Sequence, residues 1–292
     1  MALHETLSDS ELARLCYQPD RNLLCGHVVK ISDEAVIKFG PLRPEEAENL
    51  RLARAILDPD KVYVPRLYRF FEYQKTHYLV MEYIHGDSVS ASEYEQLAER
   101  VGDILKYFHN ISSTVPGSLG GGISCGQWWR SDYPDFRTTQ QLEDWVDRRL
   151  GTGSGVSFGK CDLVLCHLDL APRNIIKMPN GSLCILDWES AGYYPRFFEV
   201  AALLMTNMHT TKFEKILLDR LRSNLETDES RMADVVAEAW NRSDYKYFKP
   251  TEISNATKFD IQAYMKTHGL TPPRILPPAP RIPPPYLVPR IG

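Results

Sequence analysis

The chain has 292 residues, 43% hydrophobic and 25% charged, with a formal net charge of -4. That length can bury a substantial core in one large domain or two lobes, and the small negative charge leaves no electrostatic footprint for DNA or RNA. No apolar run is long enough to cross a bilayer, and the opening MALHETLSDSELARL lacks the basic-then-apolar order of a signal peptide. The expectation is therefore a cytoplasmic protein with neither a membrane nor a nucleic-acid partner.

In chain order, Ser8 to Glu11 has the Ser-x-x-Glu form of a capping box, which opens a first helix ending near Cys16. Residues 27–31 (HVVKI) and 35–39 (AVIKF), separated by Ser32-Asp33-Glu34, read as two strands joined by a tight turn. Pro44 begins a helix running to Ile56, with acids in its first turn that complement the positive end of the dipole. Residues 66–72 and 77–82 read as two further strands, and Gly86-Asp87 breaks the pattern.

The hydrophobic period then changes. Leu97, Val101, Ile104, Leu105 and Phe108 recur at helical spacing within 92–110, giving a helix with one buried stripe. Residues 115–135 carry Gly117, Gly120, Gly121, Gly122 and Gly126 beside Trp128, Trp129 and Tyr133. Long ordered loops of this kind are often functional. A helix over 139–150, a Gly/Ser connector over 151–159, and helices over 197–209, 212–225 and 230–241 follow.

Nine of the residues from 271 to 289 are proline, which reads as an extended polyproline II or disordered tail. Arg274 to Pro280 has the spacing of a ligand for an SH3-like groove, although any proline-rich tract produces such spacing readily. The six cysteines are scattered without a Cys-x-x-Cys or a matching His pair, so reduced, mostly buried thiols are expected rather than a metal site. Strands with one helix early, then mainly helices beyond residues 82–86, indicate an α+β protein of two lobes. The expected divisions are an N-terminal helix (1–21), a small antiparallel-sheet lobe (22–84), a larger mainly helical lobe (85–266) and the tail (267–292).

The most informative stretch is residues 163–189, LVLCHLDLAPRNIIKMPNGSLCILDWE. Residues 175–178 and 183–186 are equal apolar runs flanking Pro-Asn-Gly-Ser, and Asn180-Gly181 is a strong hairpin signal. Folding that hairpin brings Asn174, just before the first strand, near Asp187, just after the second, with Asp169 on the entering loop. Taken singly, these are a turn acid, a turn amide and a solvated strand end. Together they supply two carboxylates and an amide oxygen, the hard-oxygen set that phosphoryl transfer with Mg²⁺ needs.

The order His167-x-Asp169-x4-Asn174, hairpin, Asp187-Trp188 resembles the catalytic loop and metal-binding segment of kinases. Leu168, and Trp188-Glu189 after the aspartate, are similar to the aminoglycoside phosphotransferase and choline kinase branch rather than to protein kinases. Phe198-Glu199-Val200-Ala201 is similar to that branch's Tyr-Asp-Leu-Ala segment. The Gly120-Gly-Gly loop, residues 141–150 and Gly192-Tyr-Tyr-Pro195 resemble a fungal-type subgroup, and the likeness spans residues 23–241.

The resemblance implies a protein-kinase-like fold and an ATP-dependent kinase acting on a hydroxyl of a small cationic or hydroxylated molecule. By it, Asn174 and Asp187 would hold Mg²⁺ and Asp169 would accept or orient the acceptor's proton. Lys38, in Val36-Ile37-Lys38, would pair the nucleotide phosphates in a nucleotide-binding small lobe. Glu46 is the expected clamp on Lys38, because Leu50 and Ala53 then fall on its helical face, with Glu48 as the fallback and Lys30 as the lesser lysine. Backbone groups of Glu82 and Ile84 would meet the base. His167 would serve structurally, and Glu199 would buttress the loop.

Candidate walls for the acceptor are Trp128, Trp129, Asp132, Tyr133, Asp135, Trp188, Glu189 and Tyr193, an acidic and aromatic set suited to a cation. One departure stands out: before Lys38 the nucleotide loop has a single glycine, Gly26, where protein kinases have three. A catalytically weak pseudokinase or nucleotide-binding interaction module is the alternative. A protein kinase is disfavoured, because no Ala-Pro-Glu segment follows Asp187.

Overall fold

The N-terminus begins with two short helices, α1 (Leu3–Thr6) and α2 (Asp9–Leu15). Glu11 returns its carboxylate to the Ser8 N–H at 2.8 Å while its own N–H donates to Ser8 Oγ at 3.4 Å, so the expected capping box starts α2. A five-stranded antiparallel sheet follows, built from β1 (Asn22–Cys25), β2 (Val28–Lys30), β3 (Ala35–Gly40), then, after α3 (Pro44–Ile56), β4 (Leu67–Tyr73) and β5 (Thr76–Glu82); its order is β1-β2-β3-β5-β4. The computed structural model describes residues 2–129, 132–151, 153–205 and 211–244. The proline-rich tail and its SH3-like ligand reading lie outside those residues.

The two-residue period of the strands decides what each face meets. Ile37, Phe39, Tyr78 and Val80 pack with Leu12 and Ala13 of α2 and with Cys16, which follows it, on one face. Leu79 packs with Leu50 and Ala53 of α3 on the other. Lys38 lies directly opposite Leu79 in the β3–β5 register, so it shares the α3 face.

Beyond β5 come β6 (Asp87–Ser88), a 3₁₀ turn at Ala91–Glu93, and α4 (Tyr94–Phe108), whose buried stripe contains Leu97, Val101, Ile104, Leu105 and Phe108 as expected. Then follow β7 (Ser112–Ser113), β8 (Gly117–Ser118), α5 (Thr139–Leu150), β9 (Leu163–Cys166), β10 (Ile175–Lys177), β11 (Leu183–Ile185), β12 (Gly192–Pro195), α6 (Phe197–Met205), α7 (Lys212–Arg222) and α8 (Thr227–Asp244). The short strands form two small sheets, β11-β10-β6 and β7-β9-β12-β8. The two-lobed α+β, protein-kinase-like arrangement is thus present.

Several ends differ from the sequence reading. α6 is described to Met205, and residues 206–209 of the expected helix lie outside the described set. α7 stops at Arg222, where the Asn224 side-chain amide donates to the Arg220 carbonyl at 2.7 Å. α8 starts earlier than expected, with Asp228 and Glu229 in its first turn. Strand β12 is new: a Cβ on Gly192 would sit 2.2 Å from the Gly117 carbonyl oxygen, so its pairing with β8 requires glycine there.

The loop tryptophans correct an expectation. Trp128 and Trp129 are only 2% and 1% exposed and pack with Phe136, Trp145, Tyr194 and Phe198 in the core of the larger lobe. Trp188 is equally buried and joins the α3–α4 core. They anchor structure and do not line an acceptor pocket, because large apolar rings gain most by leaving water. All six cysteines are unpaired, with Cys16, Cys125, Cys166 and Cys184 buried. Among the described residues no helix is long and apolar enough to cross a membrane.

Candidate active site

The site grows from the β10–β11 hairpin. Gly181 has φ +82°, a value that favours glycine, and its N–H donates to the Met178 carbonyl at 2.8 Å. The register pairs Ile175 with Ile185 and Lys177 with Leu183. At the open end the Leu186 N–H donates to the Asn174 carbonyl at 2.8 Å, which fixes Asn174 beside the residue preceding Asp187. Asp187 itself adopts φ +62°, ψ +67°, a left-handed conformation rare for a residue with a side chain.

Lys38 bridges the two lobes. Its Nζ lies 2.6 Å from Glu46 Oε1 and 3.2 Å from Asp187 Oδ1. Burial alone would lower the Lys38 pKa, but Asp187 and Glu46 outweigh it and hold the ammonium above its ordinary range. Burial pushes the Glu46 carboxyl up, to about 7, against the opposing pull of Lys38. The other choices lie elsewhere: Glu48 pairs with Arg51 on the exposed side of α3, and Lys30 pairs with Asp33.

The loop after β9 carries Asp169. Leu168 has φ +64°, and its N–H donates 3.0 Å to Glu199 Oε1, which also accepts from the His167 N–H. Glu199, on α6, is 2% exposed, and burial raises its pKa to about 7 against those two donors. A buried carboxylate thereby holds a sparsely populated backbone turn in place. His167 is fully buried, which holds its pKa below the ordinary value. Its Nδ1 accepts from the Asp169 N–H at 3.3 Å and its Nε2 faces the Leu186 carbonyl at 3.0 Å, the pattern of a neutral ring protonated on Nε2. His167 thus joins the loop to the hairpin's end.

Both oxygens of Asp169 are engaged. Asn174 Nδ2 donates to Oδ2 and to the Asp169 carbonyl, each at 2.8 Å, and Arg173 Nη2 donates to Oδ1 at 2.6 Å. Burial raises the Asp169 pKa, with Arg173 and His167 pulling it down. Arg173 was not singled out in the sequence. The signal was there, since it stands four residues after Asp169 at the 3₁₀ turn Pro172–Asn174.

Asn49 is the second residue that sequence reasoning missed. It is fully buried on α3, one turn beyond Glu46. Its Nδ2 lies within 3.2 Å of the carbonyls of Trp188 and Glu189 and 3.1 Å from that of Ala191. Its Oδ1 accepts from Ser118 Oγ and the Gly120 N–H, both at 2.9 Å. Arg43, the N-cap of α3, lies over the Tyr133 ring with 3.7 Å to the centroid. The helix carrying Glu46 is therefore tied directly to the segment that follows Asp187.

At the connection between lobes, the Glu82 carboxylate accepts from Tyr63 Oη at 2.8 Å and from the Arg66 N–H at 3.0 Å, while the Glu82 N–H donates to the Arg66 carbonyl at 2.9 Å. Ile84 is buried and, among the described residues, its backbone makes no hydrogen bond. The Glu82 N–H is thus committed to Arg66, whereas the Ile84 N–H is open.

Among the described residues no group of three His, Cys, Asp or Glu side chains forms a ready-made metal cage. The donor set nevertheless fits Mg²⁺, which takes one or two carboxylates and completes its shell with water and substrate phosphates. Asp187 is partly exposed and already faces the cationic Lys38 nitrogen, and Asn174 spends its N–H group on Asp169, leaving its oxygen.

A protein-family comparison matches the phosphotransferase enzyme family over residues 26–235. The chain belongs to that family. No curated protein matches this phosphotransferase in sequence. Among solved structures it is similar to a thermostable mutant of aminoglycoside phosphotransferase APH(4)-Ia in ternary complex with AMP-PNP and hygromycin B, at 14% identity and TM-score 0.54, covering 76% of this chain and 83% of that one. A second mutant in the same type of complex, also 14% identical, covers 81% and 90% with TM-score 0.53. Choline kinase LicA from Streptococcus pneumoniae shows 16% identity and TM-score 0.47 over 89% and 95%. At these identities the likeness is one of fold. The phosphotransferase shares the fold of the two aminoglycoside phosphotransferase structures.

Proposed function

We propose that the protein transfers the terminal phosphoryl group of ATP to a hydroxyl of a small molecule, with Asp169, Lys38, Glu46, Asn174 and Asp187 as its working residues. The observation that carries this reading is the position of Lys38 Nζ, 2.6 Å from Glu46 and 3.2 Å from Asp187, which joins a strand of one lobe to the hairpin end of the other. The family match and the nucleotide analogue held by a structural neighbour support it.

The transferring group spreads negative charge over its oxygens, so the protein acts by positioning and charge neutralisation. Glu46 holds Lys38 extended toward the cleft, where its ammonium meets the nucleotide phosphates. Ile84 offers backbone to the base, beside a Glu82 that braces the connection. Asn174 and Asp187 would hold Mg²⁺, which would supply charge neutralisation to the transferring group. Asp169 orients the acceptor hydroxyl. As its oxygen bonds to the γ-phosphorus and the bond to the β,γ-bridging oxygen breaks, the proton passes to Asp169 and the nucleoside diphosphate leaves.

Thermal-shift and calorimetric titration with Mg-AMP-PNP tests the nucleotide half of this reading. Ligand-dependent stabilisation that is lost without Mg²⁺ and lost in Asp187→Ala is expected. No stabilisation at millimolar nucleotide would replace the enzyme reading with the pseudokinase one.

A further inference from the structure

The charges beside Asp169 bear on what the acceptor is. Acidic loop residues would favour a cationic acceptor, but of those expected, Asp132 is already ion-paired to Arg149, and Asp135 to Arg137 at 2.6 Å. The tryptophans that would receive a cation on their faces are in the core. The charged side chain in contact with Asp169 is instead the cation Arg173, at 2.6 Å.

Arg173 is placed to be read by a ligand. The 3₁₀ turn Pro172–Asn174 fixes its backbone, and Asn174, next in the chain, is bound to Asp169 through two hydrogen bonds of 2.8 Å. Its side chain is 58% exposed, and among the described residues it makes no hydrogen bond except to Asp169. A guanidinium has five donors in a planar fork, so most of that fork remains available. A hydroxyl accepted by Asp169 Oδ1 necessarily lies next to this fork, because Oδ1 touches both. An acceptor bearing an ammonium close to the hydroxyl would be repelled there, whereas a carboxylate or phosphate would form a charge-assisted pair.

We propose that Arg173 is a specificity residue that recognises an anionic group beside the reacting hydroxyl, so that the acceptor is a hydroxylated small anion. This rests on Asp169 being the residue that orients the hydroxyl, as set out under the proposed function. Binding of the anion draws the guanidinium from Asp169 Oδ1 toward the ligand, which frees a carboxylate lone pair for the hydroxyl proton. Recognition and activation are then one event.

The test is a matched acceptor panel with full-length protein and Mg-ATP, reading nucleoside diphosphate release and phosphorylated product. One arm sets hydroxy carboxylates against their amides, a second sets sugar phosphates against the free sugars, and a third holds amino alcohols and aminoglycosides. Anionic members should have the highest kcat/KM, and the arm that responds separates carboxylate from phosphate. In Arg173→Gln the anionic-to-neutral preference should fall roughly ten- to hundredfold, and Arg173→Lys should fall between.

Preference for neutral or cationic acceptors, or an anionic preference that survives Arg173→Gln, would overturn the proposal. An equal loss for every acceptor would also overturn it, by placing Arg173 on the transferred phosphate. Should no member turn over, binding of the same compounds to the Mg-AMP-PNP complex decides. Anions that stabilise wild type and not Arg173→Gln support the proposal, and anions that stabilise neither protein contradict it. Failure of Mg-AMP-PNP itself to bind would instead count against the kinase reading.

Discussion

Asn49 Oδ1 accepts a hydrogen bond from the Gly120 N–H at 2.9 Å, so a helix of the smaller lobe is gripped by a loop of the larger one. The same side chain reaches three carbonyls in the segment after Asp187. Replacing it by alanine leaves these buried groups without their partner. Asn49→Ala should lose roughly 2–4 kcal/mol of stability, as several buried polar groups become unsatisfied together. It should also weaken turnover more than nucleotide binding, because Glu46 and Asp187 lose their common tie. Urea titration and steady-state kinetics check the two effects, and an unchanged midpoint would show that the tie carries no energy.

Lys38 lies between two carboxylates, and Glu46 is almost fully buried. Lys38→Met should therefore cost of order 3 kcal/mol by leaving Glu46 uncompensated in the interior. Adding Glu46→Gln should recover part of the loss. A double-mutant cycle measured by thermal unfolding gives the coupling, and additive effects would contradict the pairing.

Glu199 gives a pH signature. Its folded-state pKa is raised from 4.5 to about 7, chiefly by burial. A carboxyl that holds its proton more tightly when folded contributes stability below its unfolded pKa, and that contribution is lost as pH rises through the folded value. Glu199→Gln keeps an acceptor for Leu168 and His167 but removes the ionisation. The melting temperature of the variant minus that of wild type should thus become more positive between pH 5 and pH 8. A difference that stays flat over that range would show that Glu199 is not the group titrating.

The glycine loop offers a steric comparison. Gly126 has φ +86°, and a Cβ there would lie 2.0 Å from Ser190 Oγ and 3.0 Å from Ser190 Cα. Gly121 has φ +74°, but nothing lies within 4 Å of a Cβ at that position. Gly121→Ala should cost only the backbone strain, about 1 kcal/mol, whereas Gly126→Ala should cost more and disturb the segment after Asp187. Equal melting temperatures for the two variants would remove the contact with Ser190 from the account.

What could be read from the chain alone was whatever local chemistry writes into neighbouring residues. The Ser8–Glu11 box, the stripe on α4 and the Asn180-Gly181 turn each act within a few residues, and each appears as expected. Position Glu46 on α3 was legible because its helical face is shared by Leu50 and Ala53, and that face meets Lys38. Asn49 was not legible, since its partners lie about seventy and one hundred and forty residues away and a mid-helix asparagine has no local pattern. The aromatic loop misled for the opposite reason. Composition shows that tryptophans are present, but only packing decides whether their faces meet solvent or Phe136, Trp145 and Phe198.

The most direct test of the account compares wild type with Asp169→Asn. Both proteins should bind Mg-AMP-PNP equally well, since Lys38, Asn174 and Asp187 are retained and the new amide keeps an oxygen to accept from Asn174 Nδ2. Phosphoryl transfer to the best acceptor should fall about 10²–10⁴-fold in the variant, the range for losing a positioned general base. Equal turnover in the two proteins would take Asp169 out of the reaction and contradict the phosphoryl-transfer site built around it.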